Sequence, residues 1–139
     1  MYRNILAVIA GIVIATLVST GIETINDQLH PFPPELDPTN HYELSEYLKH
    51  RPAPALVVVL IGWAIGSFLG GFTARLITRK PNPAPAYITG LFLMSAGVVT
   101  LFLYPYPTWY IISGLLIFIP LTLLGYHLGR WNDGNRNRE

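Results

Sequence analysis

The sequence has no cysteine and few charged residues, and each shortage excludes classes of protein. Without cysteine the chain can form no disulfide, thiol nucleophile or iron–sulfur site. Only 12% of its 139 residues are charged, and the formal net charge is +1. A chain with so little positive charge and no basic helix lacks the electrostatic footprint of a nucleic-acid-binding protein. We therefore expect no nucleic acid among its partners.

Motifs for cofactors, metals and catalysis are also missing. There is no glycine-rich phosphate-binding loop, and no histidine–acid pair lies where it could activate the serine and threonine hydroxyls of the apolar segments. His30, His41 and His50 share one polar segment with several carboxylates, but their spacing does not match a metal-ligand motif such as His-x-x-x-His. We expect solvated loop histidines, no cofactor, no metal site and no enzymatic activity.

What the sequence has instead is apolar residues, which make up 51% of the chain and occur in long blocks. Each block has at least 19 residues, and about 20 helical residues span the hydrocarbon core of a bilayer. The first block could pass for a signal peptide, but its length and the lack of an Ala-x-Ala site after it favour a retained helix. We predict one integral membrane domain over residues 1–139, an all-α, four-helix transmembrane bundle with spans at 5–25, 53–77, 86–104 and 108–129.

The basic residues predict the orientation of the bundle. With the amino terminus inside, two basic residues, Lys49 and Arg51, fall on the outer side. Seven fall on the cytoplasmic side, namely Arg3, Arg75, Arg79, Lys80, Arg130, Arg136 and Arg138. Cytoplasmic segments of membrane proteins carry an excess of lysine and arginine, so we expect both termini in the cytoplasm.

The outer loop, residues 26–52, is the one sizeable segment between spans. It opens with the proline-rich stretch 30–34, which should be extended, and Asp37-Pro38-Thr39 resembles the start of a helix. The helix that follows would place its larger apolar side chains and one arginine on a single face, namely Leu44, Tyr47, Leu48 and Arg51. Such a short amphipathic helix would lie on the outer membrane surface or pack on the bundle as a lid.

Small residues recur at every fourth position in the first two spans, at Ala7, Gly11, Ala15 and Ser19 and at Gly62, Gly66, Gly70 and Ala74. Positions four apart lie on one helix face, and a face without large side chains lets two helices approach closely in lipid. We expect Gly62, Gly66 and Gly70 to face Gly11 and Ala15. The alternatives are that the stripe mediates dimerisation, or that glycine is simply common in membrane helices. At Gly66 we expect leucine to be disruptive and alanine to be milder.

Glu23 is the one acidic residue within an apolar segment, which makes it a candidate polar site by default. It lies about 27 Å along the helix axis from Ile5, near the outer headgroups, where it can stay ionised at little cost. We expect an interfacial anchor or a partner for groups of the outer loop; a coupling site for protons or cations is the alternative. The aromatic residues nearby should form a belt at headgroup level, namely Tyr104, Tyr106, Trp109 and Tyr110.

Four stretches carry a resemblance to known proteins. They are the amino terminus Met1…Arg3-Asn-Ile-Leu-Ala-Val-Ile-Ala-Gly-Ile, the proline-rich start of the outer loop, Gly66-Ser-Phe-Leu-Gly-Gly-Phe and Pro107-Thr-Trp-Tyr. Together they resemble a group of small, uncharacterised four-helix inner-membrane proteins of bacteria. The resemblance implies the topology and a bacterial inner-membrane location. It implies no activity and no site residues, because its motifs are glycine, proline and aromatic positions that specify packing and turns.

From these observations we expect a non-enzymatic membrane protein with a structural or accessory role. Its partners would be the lipid bilayer and either further copies of the chain or a larger membrane complex. The alternative is a small dimeric transporter or channel for a small solute or ion. A polar cavity that reaches the middle of the bilayer would favour the transporter, whereas a dry core and an apolar outer patch would favour the accessory subunit.

The orientation can be tested with single cysteines, because the native chain has none. In intact cells an impermeant thiol reagent should label an Asn40→Cys variant and leave Asn135→Cys unlabelled until the membrane is opened. Labelling of Asn135→Cys alone would show that the orientation is reversed.

Overall fold

The protein is all-helical in a computed structural model that describes residues 1–78 and 81–136. Four long helices, α1 (Tyr2–Leu29), α3 (Ala53–Ile77), α4 (Ala84–Leu103) and α5 (Thr108–Arg136), form a bundle, and a short helix, α2 (His41–Lys49), lies in the loop between α1 and α3. Each of the four is long and apolar enough to cross a membrane. The predicted fold class, a four-helix bundle with one loop helix, is confirmed.

The two ends of the bundle differ in what they carry. Arg3 near the start of α1 donates through Nη2 to the carbonyl oxygen of Ile77 at the end of α3, at 2.9 Å. The start of α1 and the end of α3 therefore lie at one end, where Gly129 of α5 also lies against Arg75; we name this the terminal end. The opposite end, the loop end, carries residues 30–52 and 104–107. Among the basic residues used to predict orientation, Arg79, Lys80, Arg138 and the side chain of Arg136 lie outside the described residues.

The loop helix α2 begins later than the sequence suggests. Asn40 is its N-cap and accepts a hydrogen bond from the backbone nitrogen of Tyr42 at 3.1 Å. Asp37, the residue expected to cap it, instead accepts from both the backbone nitrogen and the hydroxyl of Thr39, at 2.9 and 2.7 Å. An aspartate that bonds its own backbone two residues on forms a local turn, so the helix begins only after that turn.

Helix α3 is the centre of the bundle, with α1 on one side and α5 on the other. Towards α1, a Cβ atom added at Gly66 would lie 2.7 Å from the carbonyl oxygen of Ala15, and one at Gly70 would lie 2.7 Å from that of Gly11. At Gly62 the nearest atom is Cγ2 of Ile22, at 3.0 Å. The structure thus places Gly66 and Gly70 against the backbone of α1, whereas Gly62 contacts the side chain of Ile22.

A second set of close approaches joins α3 to α5, and no four-residue repeat in the sequence predicts it. A Cβ atom at Gly71 would overlap the carbonyl oxygen of Thr122, and one at Gly125 would overlap that of Phe68. Four residues further along α5, a Cβ at Gly129 would lie 2.9 Å from Cγ of Arg75. Helix α3 therefore has glycines on two faces, and each face is in contact with the backbone of a neighbouring helix.

Arg75, in the last turn of α3, is buried inside the bundle. It is 5% exposed, its Nη1 donates to the carbonyl oxygen of Thr78 at 3.1 Å, and its guanidinium lies 5.6 Å from the ring centroid of Tyr126. A carbonyl acceptor at the end of a helix and an aromatic face both favour a cation. Because α5 supplies the aromatic face and Gly129 leaves room for the side chain, the arginine stays within the protein at the terminal end.

Two glycines that differ in surroundings test the α1–α3 contact. Gly66→Ala should lower the melting temperature, because its Cβ meets the backbone of Ala15 and overpacking costs about 1–3 kcal/mol. Even alanine is therefore expected to be destabilising at Gly66, and the expectation that it is milder than leucine stays a prediction. Gly21→Ala is the matched control, since no atom lies within 4 Å of its added Cβ. Equal melting temperatures for both variants, measured on the purified protein, would show that the contact is incidental.

Candidate functional site

The candidate site is built around a hydrogen bond between α1 and α3. Nε1 of Trp63 donates to Oε1 of Glu23 at 2.8 Å. The tryptophan is 9% exposed and the glutamate is partly buried. The hydrogen-bond partner of Glu23 is thus a residue of the neighbouring helix α3 rather than of the outer loop, and its expected place near the outer headgroups stays a prediction. The bond orients the carboxylate towards the interior of the bundle at the loop end.

A salt bridge lies one helical turn beyond Glu23. Nη2 of Arg51 donates to Oδ1 of Asp27 at 2.8 Å, and the arginine side chain is only 7% exposed. Its guanidinium also lies 5.4 Å from the ring centroid of Phe32, and that ring is 5.1 Å from the ring of Tyr47 in α2. Residues four apart share a helix face, so Asp27 and Glu23 face the same side of α1. Arg51 therefore ties the outer loop to the face that bears Glu23.

Asn26 fixes the start of α3 against α1, a role that no sequence pattern indicates. It is fully buried, and its Nδ2 donates to the carbonyl oxygen of Ala55 at 3.1 Å. Its Oδ1 lies 3.2 Å from Nδ1 of His30 in the loop. A buried amide that bonds on both sides defines the register of the two helices, because leaving either group unpaired is costly.

Two of the aromatic residues expected in a headgroup belt are instead part of the bundle. Tyr110 is 1% exposed, and its ring lies 5.7 Å from that of Trp63 and 4.8 Å from that of Tyr106. Burial raises the pKa of Tyr106 above its ordinary value, so its hydroxyl is protonated and neutral at physiological pH. Trp109 remains substantially exposed and can still serve a belt. Tyr110, by contrast, is buried because it lies on the face of α5 that meets α3.

These residues enclose a cavity of about 110 Å³ at the loop end, which we name the Glu23 cavity. It combines two carboxylates, one guanidinium and three aromatic rings, those of Glu23, Asp27, Arg51, Trp63, Tyr106 and Tyr110. A cavity of this size holds several waters or part of a small organic molecule. Apolar and aromatic walls with a few convergent polar groups are typical of a small-molecule site.

A groove of about 260 Å³ between α1 and α4 adjoins the Glu23 cavity. The two spaces share Glu23, Trp63 and Thr100 as walls. From there the groove follows the hydroxyls of α1 down to Thr16, which lies about 21 Å along the 28-residue helix and so near its middle. Hydroxyls of α1 thus line one side of the groove from the loop end to about mid-depth, while residues such as Leu93 and Phe118 make the rest of its wall largely apolar.

The terminal half of the bundle closes the space below Thr16. A Cβ atom added at Gly11 would lie 2.8 Å from the carbonyl oxygen of Gly70 and 3.1 Å from Oγ1 of Thr89, which is fully buried. Helices α1, α3 and α4 therefore meet at one level. A further groove between α1 and α4, of about 270 Å³ near Ile5 and Ile88, lies beyond this contact and is apolar. The α1–α4 groove is also open along its side, where Thr16 and Thr20 are exposed, so the space is open both at the loop end and laterally between the two helices.

Comparison with protein-family models, curated proteins and solved structures finds no match for this chain. Within residues 1–78 and 81–136, no three histidine, aspartate or glutamate side chains lie close enough together to hold a metal ion. The chemistry of the site is that of a small cavity with charged and aromatic walls, which adjoins an open groove between α1 and α4.

Glu23 can be tested with two substitutions that differ in hydrogen bonding. Glu23→Gln should keep the melting temperature nearly unchanged, because the amide oxygen can still accept from Nε1 of Trp63. Glu23→Leu should lower stability by about 1–3 kcal/mol, because it leaves that buried donor without its acceptor. Unfolding of both purified variants in the same detergent measures the difference. If leucine were as stable as glutamine, the Trp63 bond would have no structural role.

Proposed function

We propose that this protein is a non-enzymatic integral membrane protein that takes a small solute into the Glu23 cavity. Of the two functions considered from the sequence, this is the transporter class rather than the accessory subunit. The observation that carries the proposal is the polar space that begins at Glu23 and reaches Thr16 near mid-depth. A dry core, as expected of an accessory subunit, would have no such space.

The cost of polar groups in a bilayer supports this proposal. A hydroxyl within a membrane helix can bond its own backbone, as Thr24 and Thr100 do with the carbonyl oxygens four residues before them. A carboxylate is more expensive to keep away from water, and acidic residues in membrane segments commonly mark solute or ion pathways. Glu23 lies where α1 borders both the cavity and the groove, so it is available to a solute in either space.

The opening of the Glu23 cavity at one end of the bundle also fits a transporter. Transporters that alternate between the two sides of a membrane hold their solute near mid-depth and open one side at a time. In this protein the contact of Gly11 with Gly70 and Thr89 would be the closed side. Transport would require α1 to separate from α3 and α4 at that level, whereas a binding protein would keep the contact closed.

The basic residues and the resemblance described above favour a bacterial inner membrane with both termini in the cytoplasm. In that orientation the Glu23 cavity opens to the outside of the cell. A solute would then enter from the outside, past Arg51 and Tyr106.

A structural or accessory role is the second candidate, and the exposure of α1 favours it. One side of this helix is a continuous row of exposed large apolar side chains, which includes Ile5, Ile9, Val13 and Leu17. Lipid can cover such a row, and so can a helix of a second copy or of another subunit. The native mass in mild detergent, with co-purifying species identified, separates a free protomer from a subunit of a complex.

Solute binding can be tested by thermal unfolding with a panel of amino acids, sugars, carboxylates and amines. A solute that binds the native state stabilises it by about 2.7 kcal/mol at one hundred times its dissociation constant. We expect at least one member of the panel to raise the melting temperature of the native protein. Thr100→Phe should abolish the rise, because Thr100 lines both the cavity and the groove.

Ser95→Phe is the matched control, since it adds the same bulk at an exposed position of the same helix. It should retain the response to the solute. The proposal is wrong if no solute stabilises the native protein, or if Thr100→Phe and Ser95→Phe respond alike.

A further inference from the structure

We propose that the solute held in the Glu23 cavity is a small organic ammonium ion that also carries an oxygen acceptor. The inference rests on the proposed function, since it names the ligand class of the same cavity. Its chemistry could come from a free amine or from the headgroup of a lipid, because both can present an ammonium group beside an oxygen.

The charged side chains that line the Glu23 cavity favour a cationic ligand. Arg51 and Asp27 neutralise each other through their salt bridge. Glu23 accepts a hydrogen bond from a neutral indole, and no cationic side chain in the described part of the chain forms an ion pair with it. With Glu23 ionised, the cavity therefore has one negative charge in excess. In a site walled by protein, such a charge is attracted to a positive ligand more strongly than it would be in water.

The aromatic walls select an organic cation over a metal ion. Trp63, Tyr106 and Tyr110 line the same cavity. The ring of Tyr110 is tilted by 47° against that of Trp63 at a centroid distance of 5.7 Å, and by 38° against that of Tyr106 at 4.8 Å. The faces of aromatic rings attract ammonium groups, and cages of such rings recognise alkylated ammonium ligands. A divalent metal ion would instead require several oxygen ligands at short distance, which this lining does not assemble.

The ligand needs an oxygen acceptor because Arg51 has a donor without a partner within residues 1–78 and 81–136. Its side chain is 7% exposed and lines the cavity, and its Nε has no acceptor among the described residues although its Nη2 is paired with Asp27. A buried donor that lacks an acceptor is costly, and an oxygen of a ligand would satisfy it. A hydroxyl or phosphate oxygen near the ammonium group would suit both Arg51 and Glu23.

The space available limits the size of this ligand. The Glu23 cavity of about 110 Å³ has room for an alkylated ammonium group, and any longer chain would continue into the groove between α1 and α4. The groove is lined by hydroxyls near Glu23 and by apolar side chains such as Leu93 further down. A short amino alcohol would fit within the cavity, whereas a lipid would need the groove for its tail.

Choline and its neutral isostere 3,3-dimethylbutan-1-ol are the probes that isolate the charge. Both have the same shape and the same hydroxyl, and they differ only in a quaternary nitrogen replaced by carbon. In phosphatidylglycerol nanodiscs, choline should raise the melting temperature at a concentration at least tenfold lower than the alcohol. The anion 3,3-dimethylbutanoate should have no effect. Equal responses to choline and the alcohol would overturn the inference.

Substitutions then assign the charge to Glu23. Glu23→Gln should remove the advantage of choline over the alcohol, and Glu35→Gln, at an exposed loop position outside the cavity, should retain it. An unchanged advantage in Glu23→Gln would overturn the inference. The comparison of choline with the alcohol in the native protein needs no variant, so a fold defect in either substitution cannot hide the result.

The outcome also separates this inference from the proposed function. If a sugar or a carboxylate of the panel stabilises the protein in a Thr100-dependent way and choline does not, the ligand class is wrong and the function stands. If neither choline nor any panel solute binds, both are wrong.

The source of the ammonium group is distinguished by lipid composition. A response to choline in phosphatidylglycerol nanodiscs that disappears in phosphatidylcholine nanodiscs supports a lipid headgroup as occupant. A response that persists in both supports a free amine.

Discussion

The structure depends on the close approach of α3 to two neighbouring backbones. In lipid there is no hydrophobic force between helices, so association relies on van der Waals contact and polar bonds at short range. Gly66 and Gly70 make that contact with α1, and Gly71 makes it with α5. Because the three helices are held this closely, Glu23 and Trp63 come within hydrogen-bond distance although they are 40 residues apart in the chain.

The sequence predicts the glycine contact of α3 with α1, but it does not predict the contact of α3 with α5. Gly66 and Gly70 belong to a four-residue repeat that coincides with a similar repeat in α1, so helical geometry predicts a close contact at this face, and the structure identifies α1 as the helix it meets. Gly71 is adjacent to Gly70 and therefore lies on a different face. It meets Thr122 of α5, and Gly125 of α5 meets Phe68, so no glycine repeat in one helix matches a repeat in the other. The length and hydropathy of the segments predict the four helices, but not which helix is central.

The site is harder to deduce because its residues have ordinary roles elsewhere. A tyrosine at the end of a membrane helix is typical of an interfacial belt, and Tyr110 differs only by the face of α5 on which it lies. Arg51 belongs to the loop by sequence, yet its salt bridge with Asp27 buries it against α1. Only Glu23, as an acid inside an apolar segment, could be identified in advance. Periodicity locates a residue on a helix, but it does not give the rotation of that helix towards its neighbours.

The contact between α1 and α3 has a consequence for how the chain is made. Of the four long helices, α1 and α3 leave the ribosome first. Asn26 and the pairs Gly11–Gly70 and Ala15–Gly66 join these two helices directly. This interface can therefore form as soon as the second apolar segment has entered the membrane. Helices α4 and α5, joined by the short turn at 104–107, can then insert as a hairpin against a partner already in place. The order of synthesis thus matches the order in which the bundle can be assembled.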